Sequence, residues 1–459
     1  MSDGGESAFA ASALSAEVAF PVTTQNSLLD AVRILGSPIV PGKTPLEEAQ
    51  ILLSAGAEIE HALLVQYLYA ALSLGSDPAA SLIRDIAVQE MCHLITVQNL
   101  LLFAGATPSL TRQDQDPHSV LDPFRFELRP LTKEVLEEFL LAEMPPLEEM
   151  SVAQRAIMEP IKQAHGDGFH PVGLIYARIF WLFQQDDQPD SQWPEVAQQL
   201  AGQLGFETKD HIVTFPGQGS ATTFQVDPAL EPAWQATHGR GGVFEKVDSR
   251  ATALKTIADI ARQGEGLTSS PTNPSHFEAF LGIFNTADLT KFPIVKLPTA
   301  PFLADQADPN PDVEASRITQ TLAVVLCRIF NIRYHILLAA LRGALSRDRS
   351  NSTDGPIRTR YTTWALNEMH VSMGGLFGNL ISLPAKDGGT PAQLAAAPPF
   401  TLDGFTPPDD PAALDQFILD LHRSSAAAMT AALAQNPPIV VKIALQGIQQ
   451  MDKARFPNL

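Results

Sequence analysis

The sequence predicts an all-α protein built on a four-helix bundle, with long loop insertions and an additional C-terminal helical region. Three observations carry this. Residues 46–74 form a proline-free apolar segment long enough for a bundle helix, and residues 78–104 form a second one after a very short loop. Glu90-Met91-Cys92-His93 sets a carboxylate and an imidazole three residues apart inside that second segment, so both point to one face of a helix. Three more helical stretches follow a Pro- and Asp-rich linker.

The bulk numbers frame this reading. The chain has 459 residues, 45% hydrophobic and 18% charged, with 31 basic against 51 acidic side chains and a net charge of −20. A chain of that length calls for more than one unit: an N-terminal arm over 1–44, a bundle over 45–300, a linker over 301–313 and a helical region over 314–459. The acidity argues against nucleic acid and anionic membrane as partners, since both demand Lys/Arg clusters. No run is apolar and uninterrupted enough to suggest a membrane span. The first 25 residues are rich in Ala and Ser and lack the basic region of a secretory leader. With only Cys92 and Cys327, no disulfide framework or cysteine-based zinc site is expected. A cytoplasmic protein that takes a small-molecule substrate is the expectation, and a homo-oligomer is compatible with it.

Each element has a local cause. Thr44, Pro45 and Glu47 read as N-cap, first helical residue and capping-box partner of the first helix. Gly56 is its weak point and Gly75 closes it. Asp77-Pro78 starts the second helix in the same style, and Gly105 ends it. The short loop makes the two an antiparallel hairpin. At roughly 27–30 residues each they are about 40–45 Å long, a bundle dimension. Further helices are expected over 132–142, 152–163, 171–183 and 244–262, with a short one starting near Ser275. Residues 184–242 read as a loop-rich insertion with a short strand over 222–226. Helices over 314–345, 358–383 and 411–434 make up the second region, and 383–411 reads as an ordered loop. No fixed-period repeat is present.

In the second helix Ile86, Glu90, His93, Leu94, Val97 and Leu101 share one face. Glu90 and His93 therefore point inward, where a charge needs a partner or a metal, and Cys92 points away. In bundles, four carboxylates and two histidines from separate helices hold two metal ions, and such oxygen and imidazole donors suit Fe or Mn, with Zn not excluded. The candidates are Glu60, Glu90, His93, Glu265 and His276. Glu58 and His61 are also spaced i, i+3, but Glu60 shares its face with Tyr67 and is preferred to Glu58. Each candidate has a structural alternative. Glu90/His93 can be a buried hydrogen-bonded pair, Glu265 a solvent-facing acid at a helix end, and His276 a residue after a Ser275 N-cap. Tyr67 and Tyr69 read as packing residues. Glu368 and His370 face different directions and are not taken as ligands. Gly217-Gln218-Gly219 lacks the residues of a phosphate loop, and no nucleophile elbow is present.

Several of these segments resemble one known family. Glu58-Ile59-Glu60-His61 through Tyr67 to Ser73 is similar to the first-helix signature of the ferritin-like domain family named after iminophenyl-pyruvate dimer synthase. Glu90-Met91-Cys92-His93-Leu94, with Asn99 and Gly105-Ala106-Thr107-Pro108, resembles its second signature. Gln263-Gly264-Glu265-Gly266 with Ser275-His276-Phe277 and Phe280 resembles the third, and 383–400 is loosely similar to its C-terminal region. The resemblance implies a ferritin-like bundle and kinship with enzymes that couple oxidised, tryptophan-derived imino acids. It also implies a Gly-Glu-aromatic-Tyr run on the third bundle helix, where this chain has Gly173-Leu174-Ile175-Tyr176. With Leu174 in the carboxylate position, the expectation is a mononuclear site, with Leu174 on an open apolar side, or a site that no longer binds metal. An oxidative metalloenzyme and a non-catalytic scaffold are the two functional readings. A storage cage is disfavoured by the long insertions and added helices, because a shell needs repeated smooth interfaces.

Overall fold

The computed structural model of the chain describes residues 39–40, 42–112, 126–145, 147, 149–165, 172–185, 206, 208–218, 226, 242–267, 273–303, 316–347 and 352–456. Most of the N-terminal arm, most of the 184–242 insertion with its expected strand, Pro171, and the linker from 304 on lie outside these residues.

The first two helices, α1 (Pro45–Leu72) and α2 (Pro78–Phe103), form the expected hairpin. The capping box at Thr44/Glu47 and the Asp77 cap are both formed, so the backbone N–H groups of Thr44, Glu47 and Ala79 find side-chain acceptors, as donors at a helix start require. Gly75 (φ 58°) and Gly105 (φ 75°) turn the chain in the left-handed region, open to glycine without strain. Next come α3 (Lys133–Ala142), α4 (Val152–His165), α5 (Gly173–Phe183), α6 (Arg250–Gly264) and α7 (His276–Thr286). Helices α1, α2, α6 and α5 touch in that cyclic order and close a four-helix bundle, and α3 and α7 pack together beside it. Helix α6 starts six residues later than expected, because Ser249 and Thr252 form a capping box there.

The second helical region consists of α8 (Thr321–Leu345), α9 (Asp354–Asn367), a π-helical turn (Glu368–Met373), α10 (Gly374–Ile381), α11 (Pro411–Ala434) and α12 (Ile439–Arg455). The expected helix 358–383 is therefore interrupted by the wider turn. Helix α8 begins later than expected because Arg317–Ile318 pairs in parallel with Phe302–Leu303. Helix α12 is absent from the sequence expectation. Two helices, α2 and α8, are by length and composition apolar enough to cross a membrane, contrary to that expectation, but 89% and 72% of their apolar windows are buried inside the protein. They are core helices.

The two regions meet along the outer face of α1. His61 bonds the Tyr334 hydroxyl of α8, Arg112 donates to the same hydroxyl at 2.6 Å, and its other end reaches the Phe400 carbonyl. Within the first region, Tyr69 donates to the Pro298 carbonyl. Inside the bundle Arg178 of α5 is 2% exposed and donates to both oxygens of Glu48 at 2.9 and 2.8 Å and to Asp210 at 3.0 Å. Breaking such a buried pair strands its partners' charge. Arg178→Met is expected to lower stability by about 3–5 kcal/mol in denaturant unfolding; a loss under about 1 kcal/mol would show that Glu48 finds other solvation.

Candidate metal centre

Six side chains from five elements converge inside the bundle. Glu60 arrives from the middle of α1, Glu90 and His93 from α2, Glu265 from the end of α6, and His276 from the first turn of α7. Glu143, the residue that ends α3, is the sixth. All but the half-buried Glu265 are at most 3% exposed. Glu60, Glu90, His93, Glu143 and Glu265 line one cavity, with Leu63, Val172, Tyr176, Ile260, Ala261 and Gly264. Its open space is about 10 Å³, on the order of one water molecule.

Glu90 sits at the centre. One of its oxygens lies 2.9 Å from His93 Nδ1, and the other lies 2.9 Å from His276 Nδ1. His93 Nδ1 is also 3.5 Å from Glu60, and His276 Nδ1 is 3.6 Å from Glu143. Two three-ligand groups result, Glu60/Glu90/His93 and Glu90/Glu143/His276, each with its donor atoms within 4.8 Å of one another. Both groups use Glu90.

Around these lies a layer of neutral hydrogen-bonding groups. Tyr176 donates to Glu60, and Tyr67 donates to Glu143 at 2.6 Å. His93 Nε2 is 2.9 Å from Gln263 Oε1, and His276 Nε2 is 2.9 Å from Gln89 Oε1. Gln263 Oε1 also accepts the Val243 backbone N–H at 3.1 Å, which orients its oxygen toward His93. The Nε2 of that ring therefore carries a proton and its Nδ1 faces the carboxylates. Metal-binding histidines are oriented in this way by outer partners.

The donor set fits a metal ion. Glu90 Oε1 and His276 Nδ1 are buried and, despite their closeness, form no hydrogen bond in this geometry. A carboxylate oxygen and an imidazole nitrogen held this close, but out of line for a hydrogen bond, are placed as two ligands of one ion would be. Hard oxygens with imidazole nitrogens are the ligands of Fe, Mn or Zn.

The charges are tightly linked. Burial, then the Glu90 charge, raises Glu60 to about 8. Burial also works against ionisation of Glu90, but the charge of His276, 2.9 Å away, and the charge and hydrogen bond of His93 hold it well below the ordinary carboxylate value. Burial opposes the cationic form of both rings, yet the carboxylates prevail, lifting His93 to about 10 and His276 to about 9.

The placement corrects three expectations. Leu174 is half-buried and does not line the cavity; Val172 and Tyr176 of the same helix do. Glu143 from α3 supplies a carboxylate that was not expected, and with Glu90 and His276 it makes a second three-ligand group in place of the single site expected. Tyr67, expected as a packing residue, donates its hydroxyl to Glu143. It also packs against Phe139 and Phe280. Glu58 and His61 take no part; His61 faces Tyr334.

Glu143 and Gln89 went unread in the sequence, and Gln263 and Tyr176 were read as members of their segments without a role in the centre. Glu143 had one signal: it is a lone acid closing the apolar run 139–142, just before Met144-Pro145.

A second group, Glu368/His422/Asp452, also has ligand-like spacing. Arg333 bonds Asp452 at 2.8 Å and approaches Glu368 at 3.4 Å, and Arg455 bonds Glu368 at 2.5 Å. Two guanidinium groups balance its two carboxylates, so it reads as an ion-pair network joining α8, the π turn, α11 and α12. His370 is exposed, away from Glu368.

Comparison with known proteins gives one family and one fold likeness to report. A family model described as Ferritin-like matches residues 53–285, half of the chain, including every residue of the centre. A solved ferritin-like protein from Caulobacter vibrioides is similar at 18% identity, over 69% of this chain and 93% of that one, with a TM-score of 0.39. No curated protein matches the chain.

A pH consequence follows for the metal-free protein. Glu60 has an ordinary value of 4.5 and the histidines 6.5, and all three are raised. The folded form then binds protons more tightly than the unfolded form, so stability falls as pH rises from about 5 to about 10. Thermal melts of the metal-free chain are expected to show this decline, with a smaller slope in His93→Leu. Stability rising across that range would contradict the charge assignment.

Proposed function

The chain belongs to the ferritin-like family, and from that premise we propose that its bundle holds a pair of divalent first-row metal ions, Fe or Mn in first place, in an oxidative enzyme acting on a small amino-acid-derived imine. The observation that carries the metal reading is the sharing of Glu90 by two buried three-ligand groups. Glu60, Glu90 and His93 would hold one ion, and Glu90, Glu143 and His276 the other. When bound, Fe or Mn supplies a redox-active Lewis acid at a water-poor site.

The protein's own residues do the rest. Tyr176 and Tyr67 fix the two outer carboxylates, and Gln263 and Gln89 fix the two rings. Leu63, Val172 and Ile260 keep bulk water away, which strengthens every charge interaction inside. Occupation of the centre displaces the protons the two Nδ1 atoms share with the carboxylates, so affinity weakens as pH falls. The substrate class rests on the sequence resemblance of the Glu60, Glu90/His93 and Glu265/His276 segments to the iminophenyl-pyruvate dimer synthase family.

The size of the cavity favours a second reading, a non-catalytic ferritin-like scaffold that retains its metal. A space of about 10 Å³, on the order of one water molecule, does not admit an imino acid. Turnover of candidate imines by the metal-loaded chain separates the two readings.

Elemental analysis of protein produced with Fe, Mn and Zn supplements tests the centre. Two ions per chain are expected. Glu90→Ala should lose both, because each group needs Glu90, whereas Glu143→Ala should lose one. Complete absence of metal from the wild type, or full retention by Glu90→Ala, would remove the reading.

A further inference from the structure

We propose that Glu265 is the carboxylate through which metal ions enter and leave the centre, and not one of the ligands that retain them. This rests on the metal reading above. Glu265 lines the same cavity as Glu60, Glu90 and Glu143, yet differs from them in three respects.

The first is access. Among the described residues lining the cavity, only Ala261 and Glu265 are not fully buried. Both belong to the C-terminal turn of α6, so that turn is where the cavity meets solvent. An ion arriving from outside encounters Glu265 before any other acid of the centre.

The second is redundancy. Both three-ligand groups are complete without Glu265, and its carboxylate is already engaged elsewhere, accepting the backbone N–H of Gly173 at the start of α5. A single backbone donor can be exchanged for a passing cation and regained afterwards. Glu60 and Glu143, held by tyrosines and facing histidines, have no such alternative position.

The third is the cradle. A Cβ built on Gly173 would lie 1.6 Å from Glu265 Oε2. The carboxylate reaches its resting place only because residue 173 has no side chain. Gly264, whose Cβ would come within 3.0 Å of Glu143 Oε2, leaves the inner side of the same turn open. The arrangement gives Glu265 a parking position beside the ligand groups and outside them.

A residue that lies only on the path changes entry and exit alike and leaves the equilibrium affinity alone. A ligand instead changes retention. The test is stopped-flow Co(II) uptake by the metal-free full-length chain, with release measured into excess chelator. Wild type, Glu265→Gln and Glu265→Asp are compared, and Glu60→Ala serves as a ligand control. Glu265→Gln keeps the shape of the side chain and is expected to slow uptake and release equally, by about tenfold, with Kd and stoichiometry unchanged. Glu265→Asp should recover part of the rate, and Glu60→Ala should lose stoichiometry. Faster release with a weakened Kd in Glu265→Gln would make it a retaining ligand and overturn the proposal, as would unchanged rates. A wild-type chain that takes up no Co(II) while remaining folded would instead overturn the metal reading beneath it.

Discussion

The bundle has to compensate three buried carboxylates and two buried imidazoles within one small volume, and the rest of the architecture around the centre answers that constraint. An isolated charge in such an environment is strongly unfavourable. Here each carboxylate meets an imidazole, a phenol or both, and each imidazole is held on its far side by a glutamine. Glu90 is the common member. Removing it would leave two cationic rings without their main counter-charge, so the geometry of α1, α2, α3 and α7 converges on that single side chain.

The outer layer explains why neutral partners were selected. Tyrosines and glutamines add hydrogen bonds without adding charge, so the inner cluster's own balance decides its protonation. The two halves are related in kind: a tyrosine on the outer carboxylate, a glutamine on the ring, and a shared acid between. The halves nevertheless draw on different elements. One is built from α1, α2, α5 and α6, the other from α1, α2, α3 and α7. The consequence is that α3, which lies beside the four main helices, is part of the centre through Glu143, the residue that caps its C-terminal end.

Much of the fold was legible because its signals are local. The caps at Thr44, Asp77, Ser275 and Asp410 act over three or four residues, so α1, α2, α7 and α11 begin where the sequence says. Helix α6 was misplaced because an apolar pattern continues upstream of its true cap at Ser249. Helix α12 was missed, and its exposed Ile439, Val440 and Ile443 blur the apolar stripe that would mark it. The centre was legible only where two ligands sit on one helix or in a recognisable segment, as with Glu90/His93 and Glu265/His276. Glu143 and the glutamines were not, because their partners are remote in the chain: Gln89 meets His276 across 187 residues and His93 meets Gln263 across 170. No periodicity encodes such a pairing. Glu143, on a different element from Leu174, is likewise invisible to a reading that compares position with position.

The most direct measurement is anomalous diffraction from crystals of the metal-supplemented protein at the Fe and Mn edges. The account predicts two peaks flanking the Glu90 carboxylate, one within bonding distance of Glu60 and His93 Nδ1 and the other of Glu143 and His276 Nδ1. Density showing those side chains bonded only to one another, with no anomalous signal between them, would contradict it.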